Sequence, residues 1–123
     1  GTHASTFGGN SLACAAAIAV LEVIEADQLL QNTRKVGAYF EEALRDLQAR
    51  HPAVKEIRGL GLMRAVELDR ATGPFVLKAL ERGVLIDSAA ETAFRLLPPL
   101  TIGEAEVDRL CRLLDALLVE DGA

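Results

Sequence analysis

The periodicity of apolar residues along the 123-residue chain is the feature that most constrains its fold. Helical spacing recurs in residues 12–24, 36–47 and 107–118, whereas residues 62–68 alternate between apolar and polar side chains. The segment 107–118 has the most complete apolar stripe, which is typical of a helix packed on a core. A chain that changes between these two periods is expected to pack helices against a small sheet.

Turn and cap residues divide the chain into eight predicted elements, in the order helix, helix, strand, strand, helix, strand, strand, helix. The fold class is therefore α/β of the α+β type, with a small antiparallel or mixed sheet of about four strands covered by helices and preceded by a long helix. Asn10 is the predicted cap of the first helix, Pro52 follows the second helix, and Thr101 with Glu104 forms a predicted capping box for the last helix. The predicted strands lie at 54–58, 62–68, 84–86 and 93–97, and the third helix lies between Gly73 and Gly83.

Composition excludes several classes of function. The net charge is −5 and no basic cluster is present, so the sequence predicts no nucleic-acid partner. The longest apolar run, Leu12–Leu21, has ten residues, about half of what a membrane span needs, and is expected to be a buried helix segment. Cys14 and Cys111 are expected to be free thiols in a reducing, cytoplasmic compartment, and no ligand spacing for a metal is found.

The first candidate site lies directly before the first predicted helix, where Ser5 and Thr6 precede Gly8, Gly9 and Asn10. Free amides at a helix start carry partial positive charge and bind anions, and glycines let a phosphate approach the backbone. The alternative is a capped loop, because Ser, Thr, Gly and Asn are ordinary residues at a helix start. From the residues alone, both interpretations stay open.

The second candidate is Arg95, which lies among apolar residues on a predicted strand. A buried guanidinium needs a partner and matches a carboxylate in a bidentate geometry, but an exposed strand arginine paired with a local Glu is equally compatible with the pattern. The third candidate, Arg58 with Gly59 and Gly61, favours a structural turn. The three lysines have solvent-facing patterns, so no catalytic residue is predicted in the chain.

Residues 1–25, 54–69 and 94–110, in that order, resemble the C-terminal portion of class III pyridoxal-phosphate aminotransferases. The resemblance implies the C-terminal small domain of a fold-type I enzyme with pyridoxal 5′-phosphate as cofactor in a homodimer. It also implies amino-acid and 2-oxo-acid substrates, with no nucleic acid or membrane partner. Among members of the class, the similarity favours those that transfer the amino group of N-acetylornithine to 2-oxoglutarate in arginine biosynthesis.

The resemblance also assigns roles to residues. Thr6 matches the residue that donates to the cofactor phosphate in the neighbouring subunit, and Ser5 lies beside it. Arg95 matches the arginine that binds the substrate α-carboxylate. Arg58 matches the start of a mainly structural glycine turn, and Ala65 stands where glycine is frequent in the family.

The implied organisation is a phosphate loop with a linking helix at 1–28 and an aminotransferase C-terminal small domain at 29–123. In the family the lysine that forms the Schiff base lies upstream of the first motif, so the isolated chain is expected to be an inactive fragment. Two alternatives remain open. One is a related enzyme acting on ornithine, succinylornithine, 4-aminobutyrate or carrier-bound lysine, and the other is a non-catalytic module that dimerises through its first helix.

Overall fold

The elements of the chain follow the predicted order in a computed structural model that describes residue 3 and residues 5–121. The helices are α1 (Ser11–Ala26), α2 (Leu29–Arg50), α3 (Gly73–Glu81) and α4 (Glu104–Asp121). The strands are β1 (Val54–Leu60), β2 (Met63–Leu68), β3 (Asp87–Ala89) and β4 (Ala93–Leu96). The predicted α+β class is confirmed. Residues 1, 2, 4, 122 and 123 of the predicted domains lie outside the described residues.

The four strands form one sheet in the order β1-β2-β4-β3, and every pairing is antiparallel. Ile57, Val66 and Phe94 face one another across three strands and point to the inner face of the sheet. The core lies between this inner face and the helices α2, α3 and α4, and includes Phe40 and Leu114, both at most 1% exposed. Alternation along β2 and β4 places Ala65, Glu67 and Arg95 on the outer face of the sheet.

The predicted capping box of Thr101 and Glu104 is wrong. Helix α4 begins at Glu104, so Gly103 is the last residue before it. The Glu106 carboxylate accepts a hydrogen bond from the Gly103 backbone N–H at 2.9 Å. The reciprocal carboxylate of the cap is therefore present, two residues later than predicted.

The predicted strand at 84–86 is also wrong, because β3 begins only at Asp87. The preceding residues complete the end of α3 instead. Gly83 adopts a φ of +74°, and the Val84 backbone N–H donates to the Ala79 carbonyl at 3.0 Å. This segment therefore satisfies a carbonyl at the end of the helix, and only the next three residues pair with β4.

The apolar run Leu12–Leu21 is helical, as predicted, but it is not buried. No residue of α1 is buried, and Leu12 and Leu21 are 81% and 66% exposed. Within the described part of the chain, α1 packs against α2 alone among the helices and strands. In residue 3 and residues 5–121, no helix combines the length and apolar character that crossing a membrane requires.

Candidate functional site

The residues before α1 form a tight turn closed by backbone and side-chain hydrogen bonds. The Gly8 N–H donates to the Ser5 carbonyl at 3.3 Å. The Asn10 side chain accepts from the Ala13 N–H at 3.0 Å and donates to the Phe7 carbonyl at 2.6 Å. Asn10 is therefore the N-cap of α1, as the sequence predicts.

Because Asn10 alone supplies the side-chain cap, the hydroxyls of Ser5 and Thr6 are not used for it, and both residues are exposed. The first turn of α1 contains no acidic side chain that would repel an anion. A Cβ added to Gly8 would lie 3.1 Å from the Ser5 Oγ, so a larger residue at this position would crowd the Ser5 hydroxyl. Two hydroxyl donors before a helix start suit the chemistry of a phosphate group, and the turn fits such a ligand.

Arg95 lies on the outer face of the sheet, in a row of residues that crosses all four strands. Arg58 on β1 faces Ala65 on β2, Ala65 faces Arg95 on β4, and Arg95 faces Asp87 on β3. We call these four residues the outer row. Neighbouring strands lie about 4.8 Å apart, so Ala65 separates the backbones of the two arginines by roughly 10 Å.

The interpretation of Arg95 as a buried cation is wrong, because its side chain is 53% exposed. Its neighbours in sequence, Phe94 and Leu96, are buried on the inner face. Because side chains alternate along a strand, Arg95 between them points to the outer face. The guanidinium forms an ion pair with the Asp87 carboxylate, which is 56% exposed. The structure therefore has the exposed, locally paired arginine of the alternative interpretation, with aspartate instead of glutamate as the partner.

Arg58, at the other end of the outer row, is held by two carboxylates. Its guanidinium donates to Glu67 at 2.8 Å and to Glu56 at 3.1 Å. The hydrogen bond to Glu67 raises the pKa of Arg58. The Thr92 hydroxyl and then Arg58 lower the pKa of the Glu67 carboxyl. Arg58 is thus fixed within the sheet, which agrees with the structural role predicted for its segment.

The glycine turn after Arg58 is structural for a reason that the sequence analysis missed. Arg64, only 6% exposed, donates to the carbonyls of Gly61 and Gly37 at 2.9 Å each and pairs with Glu41 at 2.9 Å. This buried arginine fastens the β1–β2 turn to α2. The sequence does contain a signal for this burial, because Arg64 lies two residues before the inward-facing Val66 on β2 and alternate residues of a strand share a face.

The structure does not bring the hydroxyl turn and Arg95 together, since the helix that follows the turn packs only on α2 among the described elements. Arg95 instead contributes to the wall of a largely apolar cleft of about 350 Å³ at the end of β4.

Two of the lysines form ordinary surface contacts: Lys35 is paired with Glu104, and Lys55 donates a hydrogen bond to the Pro52 carbonyl. Residue 3 and residues 5–121 contain no cluster of potential metal ligands.

Comparison with known proteins gives a consistent result. Residues 1–118 match the aminotransferase class-III family. The chain is 50% identical over 121 residues to acetylornithine aminotransferase of Caldanaerobacter subterraneus subsp. tengcongensis, covering 98% of the chain and 31% of that protein. It is 43% identical over 110 residues to ornithine aminotransferase 1 of Staphylococcus aureus, covering 89% of the chain and 27% of that protein.

The solved structures agree. The crystal structure of acetylornithine aminotransferase from Elizabethkingia anophelis superposes with a TM-score of 0.87 at 30% identity, covering 98% of this chain and 31% of that one. The chain thus spans about a third of the length of the relatives it matches. Since the family match extends over nearly all of its residues, the chain belongs to the class III aminotransferases.

Proposed function

We propose that this chain forms the C-terminal part of a pyridoxal-phosphate aminotransferase that transfers the amino group of N-acetylornithine to 2-oxoglutarate. The observation that carries the proposal is the 50% identity to an acetylornithine aminotransferase. Residues 1–28 would supply the phosphate loop and linking helix, and residues 29–123 the small domain. The exposed apolar surface of α1 supports this division, because a linking helix needs further protein to cover it.

In the proposed enzyme, Thr6 donates its hydroxyl to the cofactor phosphate of the neighbouring subunit, and Ser5 lies beside it. The exposure of both residues, and a glycine at position 8 that leaves the Ser5 hydroxyl uncrowded, support this role. Bound pyridoxal phosphate supplies an electron sink for cleavage of the substrate C–H bond. The separation of the turn from Arg95 within one chain is consistent with a site that needs two subunits.

Arg95 in this proposal binds the substrate α-carboxylate and thereby orients the substrate. Its guanidinium is exposed on the outer face of the sheet, where a ligand can reach it. A planar guanidinium forms two parallel hydrogen bonds to a carboxylate, which fixes both position and angle. We also propose a homodimer in the cytoplasm, where the free thiols of Cys14 and Cys111 would stay reduced.

The contact across the dimer is tested with mixed dimers of the full-length enzyme. One subunit carries Thr6→Val and the other lacks its cofactor-anchoring lysine, so only the Thr6→Val subunit has a working lysine. If Thr6 serves the neighbouring site, that site receives an intact threonine and retains wild-type affinity for the cofactor. Placing both substitutions in one subunit should instead weaken cofactor binding about tenfold, as expected for a lost hydrogen bond to a charged group.

The matched control is Thr101→Val, which removes the hydroxyl of another exposed loop threonine. This variant should bind the cofactor like the wild type in every dimer. Weaker binding in the first mixed dimer would mean that Thr6 serves its own subunit. Equal binding in all dimers would exclude Thr6 from the phosphate site.

The substrate is tested by kinetics on the full-length enzyme with N-acetylornithine, ornithine, succinylornithine, 4-aminobutyrate and carrier-bound lysine as donors. We expect the highest kcat/KM for N-acetylornithine. Ornithine is the second candidate, because the chain is also 43% identical to an ornithine aminotransferase. A preference for 4-aminobutyrate would contradict both.

The isolated 123-residue chain is expected to be inactive, because Lys35 and Lys55 have ordinary surface pairings. Absorbance titration with pyridoxal phosphate, borohydride reduction and mass mapping would detect a specific lysine adduct. We expect no stoichiometric adduct on Lys35, Lys55 or Lys78. Turnover of N-acetylornithine by this chain with added cofactor would contradict the assignment of the chemistry to residues outside it.

A further inference from the structure

The Asn32 side chain joins the first turn of α2 to the segment that follows β4. Its amide nitrogen donates one hydrogen bond to the Leu100 carbonyl at 2.7 Å and one to the Ile102 carbonyl at 2.9 Å. Because the amide nitrogen carries two N–H donors, both are used in holding this segment. Resting on the function proposed above, we propose that Asn32 is a positioning residue, which fixes the chain after β4 and thereby directs the Arg95 guanidinium toward the substrate α-carboxylate.

The chain after β4 depends on such an anchor, because residues 97–103 lie between β4 and α4 in neither a helix nor a strand. We call these residues the β4–α4 segment. Pro98 and Pro99 have no backbone N–H, so they cannot continue the hydrogen-bonded ladder of the sheet. A bond from the Ile102 N–H to the Pro99 carbonyl closes the segment on itself, but it is long at 3.3 Å. The two bonds from Asn32 are shorter, and they tie the segment to a helix that packs on the core.

Arg95 lies where the sheet ends and the β4–α4 segment is about to begin. The pairing of β3 with β4 ends at Asp87 and Arg95, and the pairing of β2 with β4 ends one residue later, at Leu96. Arg95 also lines the same cleft as Pro99 and Ile102. A displacement of the segment therefore changes both the end of the strand that carries Arg95 and the surface beside its guanidinium.

Helix α2 gives Asn32 a fixed position relative to the sheet. Val36 and Phe40, one and two turns further along, are at most 3% exposed in the core. The carbonyl of Gly37 on the same helix accepts a hydrogen bond from the buried Arg64 of β2. The helix is thus bound to β2 through Arg64 and to the β4–α4 segment through Asn32. All of these contacts are within this chain, so they do not depend on which of its surfaces the rest of the proposed enzyme covers.

The test is Asn32→Asp in the full-length enzyme, because this change keeps the size of the side chain and removes both donors. The new carboxylate faces two carbonyl oxygens, so it repels the segment that the amide held. We expect KM for N-acetylornithine and for 2-oxoglutarate to rise about tenfold, with kcat within about twofold of the wild type, as for a displaced binding group.

A donor without the α-carboxylate separates this effect from a general one. The amine N-acetyl-1,4-diaminobutane cannot use Arg95 in the proposed way, so its half-saturation concentration should be the same in Asn32→Asp and in the wild type. Following the cofactor absorbance in the half-reaction gives this concentration even for a slow donor.

The matched control is Gln48→Glu on the same helix. The Gln48 amide also donates to a backbone carbonyl, that of Lys55 at 3.0 Å, but this bond anchors the start of β1 rather than the β4–α4 segment. The same exchange of an amide for a carboxylate at this position should leave KM for every substrate unchanged.

Two further variants separate positioning from folding. Asn32→Ala removes the donors without adding a charge and improves helix propensity, so it serves if Asn32→Asp does not fold. We expect its KM for both carboxylate substrates to rise about threefold, as for lost hydrogen bonds between neutral groups. In an Arg95→Gln background, Asn32→Asp should have no further effect on KM, because the group that Asn32 positions is gone.

A wild-type KM in both Asn32 variants would overturn the proposal. An equal rise for the amine without a carboxylate, or the same rise in Gln48→Glu, would overturn it as well, because either would reveal a general effect on the fold. An additional rise in the Arg95→Gln background would likewise overturn it, since Asn32 would then act through another group. Failure of the proposed function is distinguished by the wild-type assay, because the wild-type enzyme would then not transaminate N-acetylornithine.

Discussion

The contact between α2 and the β1–β2 turn allows a quantitative test of the fold. Gly37 on α2 lies so close to this turn that an added Cβ would be 2.7 Å from the Gly61 carbonyl carbon and 2.8 Å from its oxygen. Carbon atoms in contact normally lie about 3.5–4.0 Å apart. The substitution Gly37→Ala therefore requires the helix and the turn to separate by roughly 0.8 Å.

The expected free-energy change has three contributions. Alanine is about 1 kcal/mol better than glycine inside a helix, which favours the variant. Overpacking costs about 1–3 kcal/mol. Separation also weakens the hydrogen bonds by which Arg64 links the carbonyls of Gly37 and Gly61, and bonds of a charged group contribute about 1.5–3 kcal/mol each. We expect a net destabilisation of about 2 kcal/mol.

Urea unfolding measures this difference. With a urea dependence of about 2 kcal/mol per molar, the midpoint of Gly37→Ala should fall by about 1 M. The control is Gly73→Ala at the first residue of α3, where an added Cβ meets nothing within 4 Å. That variant should be as stable as the wild type or slightly more stable. If Gly37→Ala behaved in the same way, the close approach of α2 and the turn would be refuted.

Two further predictions concern titratable groups. Burial raises the pKa of the Cys111 thiol to about 11, whereas Cys14 is exposed; a thiol reagent at pH 8 should label Cys14 in the folded 123-residue chain and Cys111 only after unfolding. Hydrogen bonding to His51, together with the nearby Arg50, lowers the pKa of the Asp115 carboxyl in the folded protein. The ionised carboxylate therefore stabilises the fold fully above the unfolded pKa near 4, and this contribution is lost as the pH falls through the lower folded pKa. Asp115→Asn should therefore be less stable at pH 7 and lose less stability on acidification, as measured by urea midpoints between pH 2 and pH 7; equal acid sensitivity would contradict this.

Patterns that depend on local periodicity were predictable from the sequence. The stripe of α4 places Val107, Leu114 and Leu117 in the core, because spacing alone decides which side of a helix is apolar. The alternation of β2 likewise predicts that Val66 and Leu68 face inward. In both cases the residues that determine the pattern are neighbours in the chain.

Features that depend on distant contacts were not predictable in this way. The sequence offers Thr101 as a cap for α4, but the Asn32 side chain of α2 donates to the carbonyls of Leu100 and Ile102 at 2.7 and 2.9 Å. These bonds hold the segment outside the helix, which then begins at Glu104. No local pattern contains this information, since the partners are about 70 residues apart.

The partner of Arg95 was hidden for a similar reason. Asp87 lies eight residues before Arg95, and the two meet only because β3 and β4 pair in one register. A shift of one residue would turn Asp87 to the inner face and leave Arg95 without its partner. The predicted strand at 84–86 is displaced from the true strand, so it gave no basis for this register.

The residues proposed to act on ligands all lie on surfaces that this chain leaves open. Thr6 precedes a helix without a buried residue, and Arg95 lies on the outer face of the sheet. The core, by contrast, depends on side chains between the inner face of the sheet and the helices α2, α3 and α4. Since the two sets do not overlap, substitutions at Thr6 or Arg95 can change ligand binding while the fold persists. Because of this separation, the effect of such a substitution on ligand binding can be measured without a change in the free energy of unfolding.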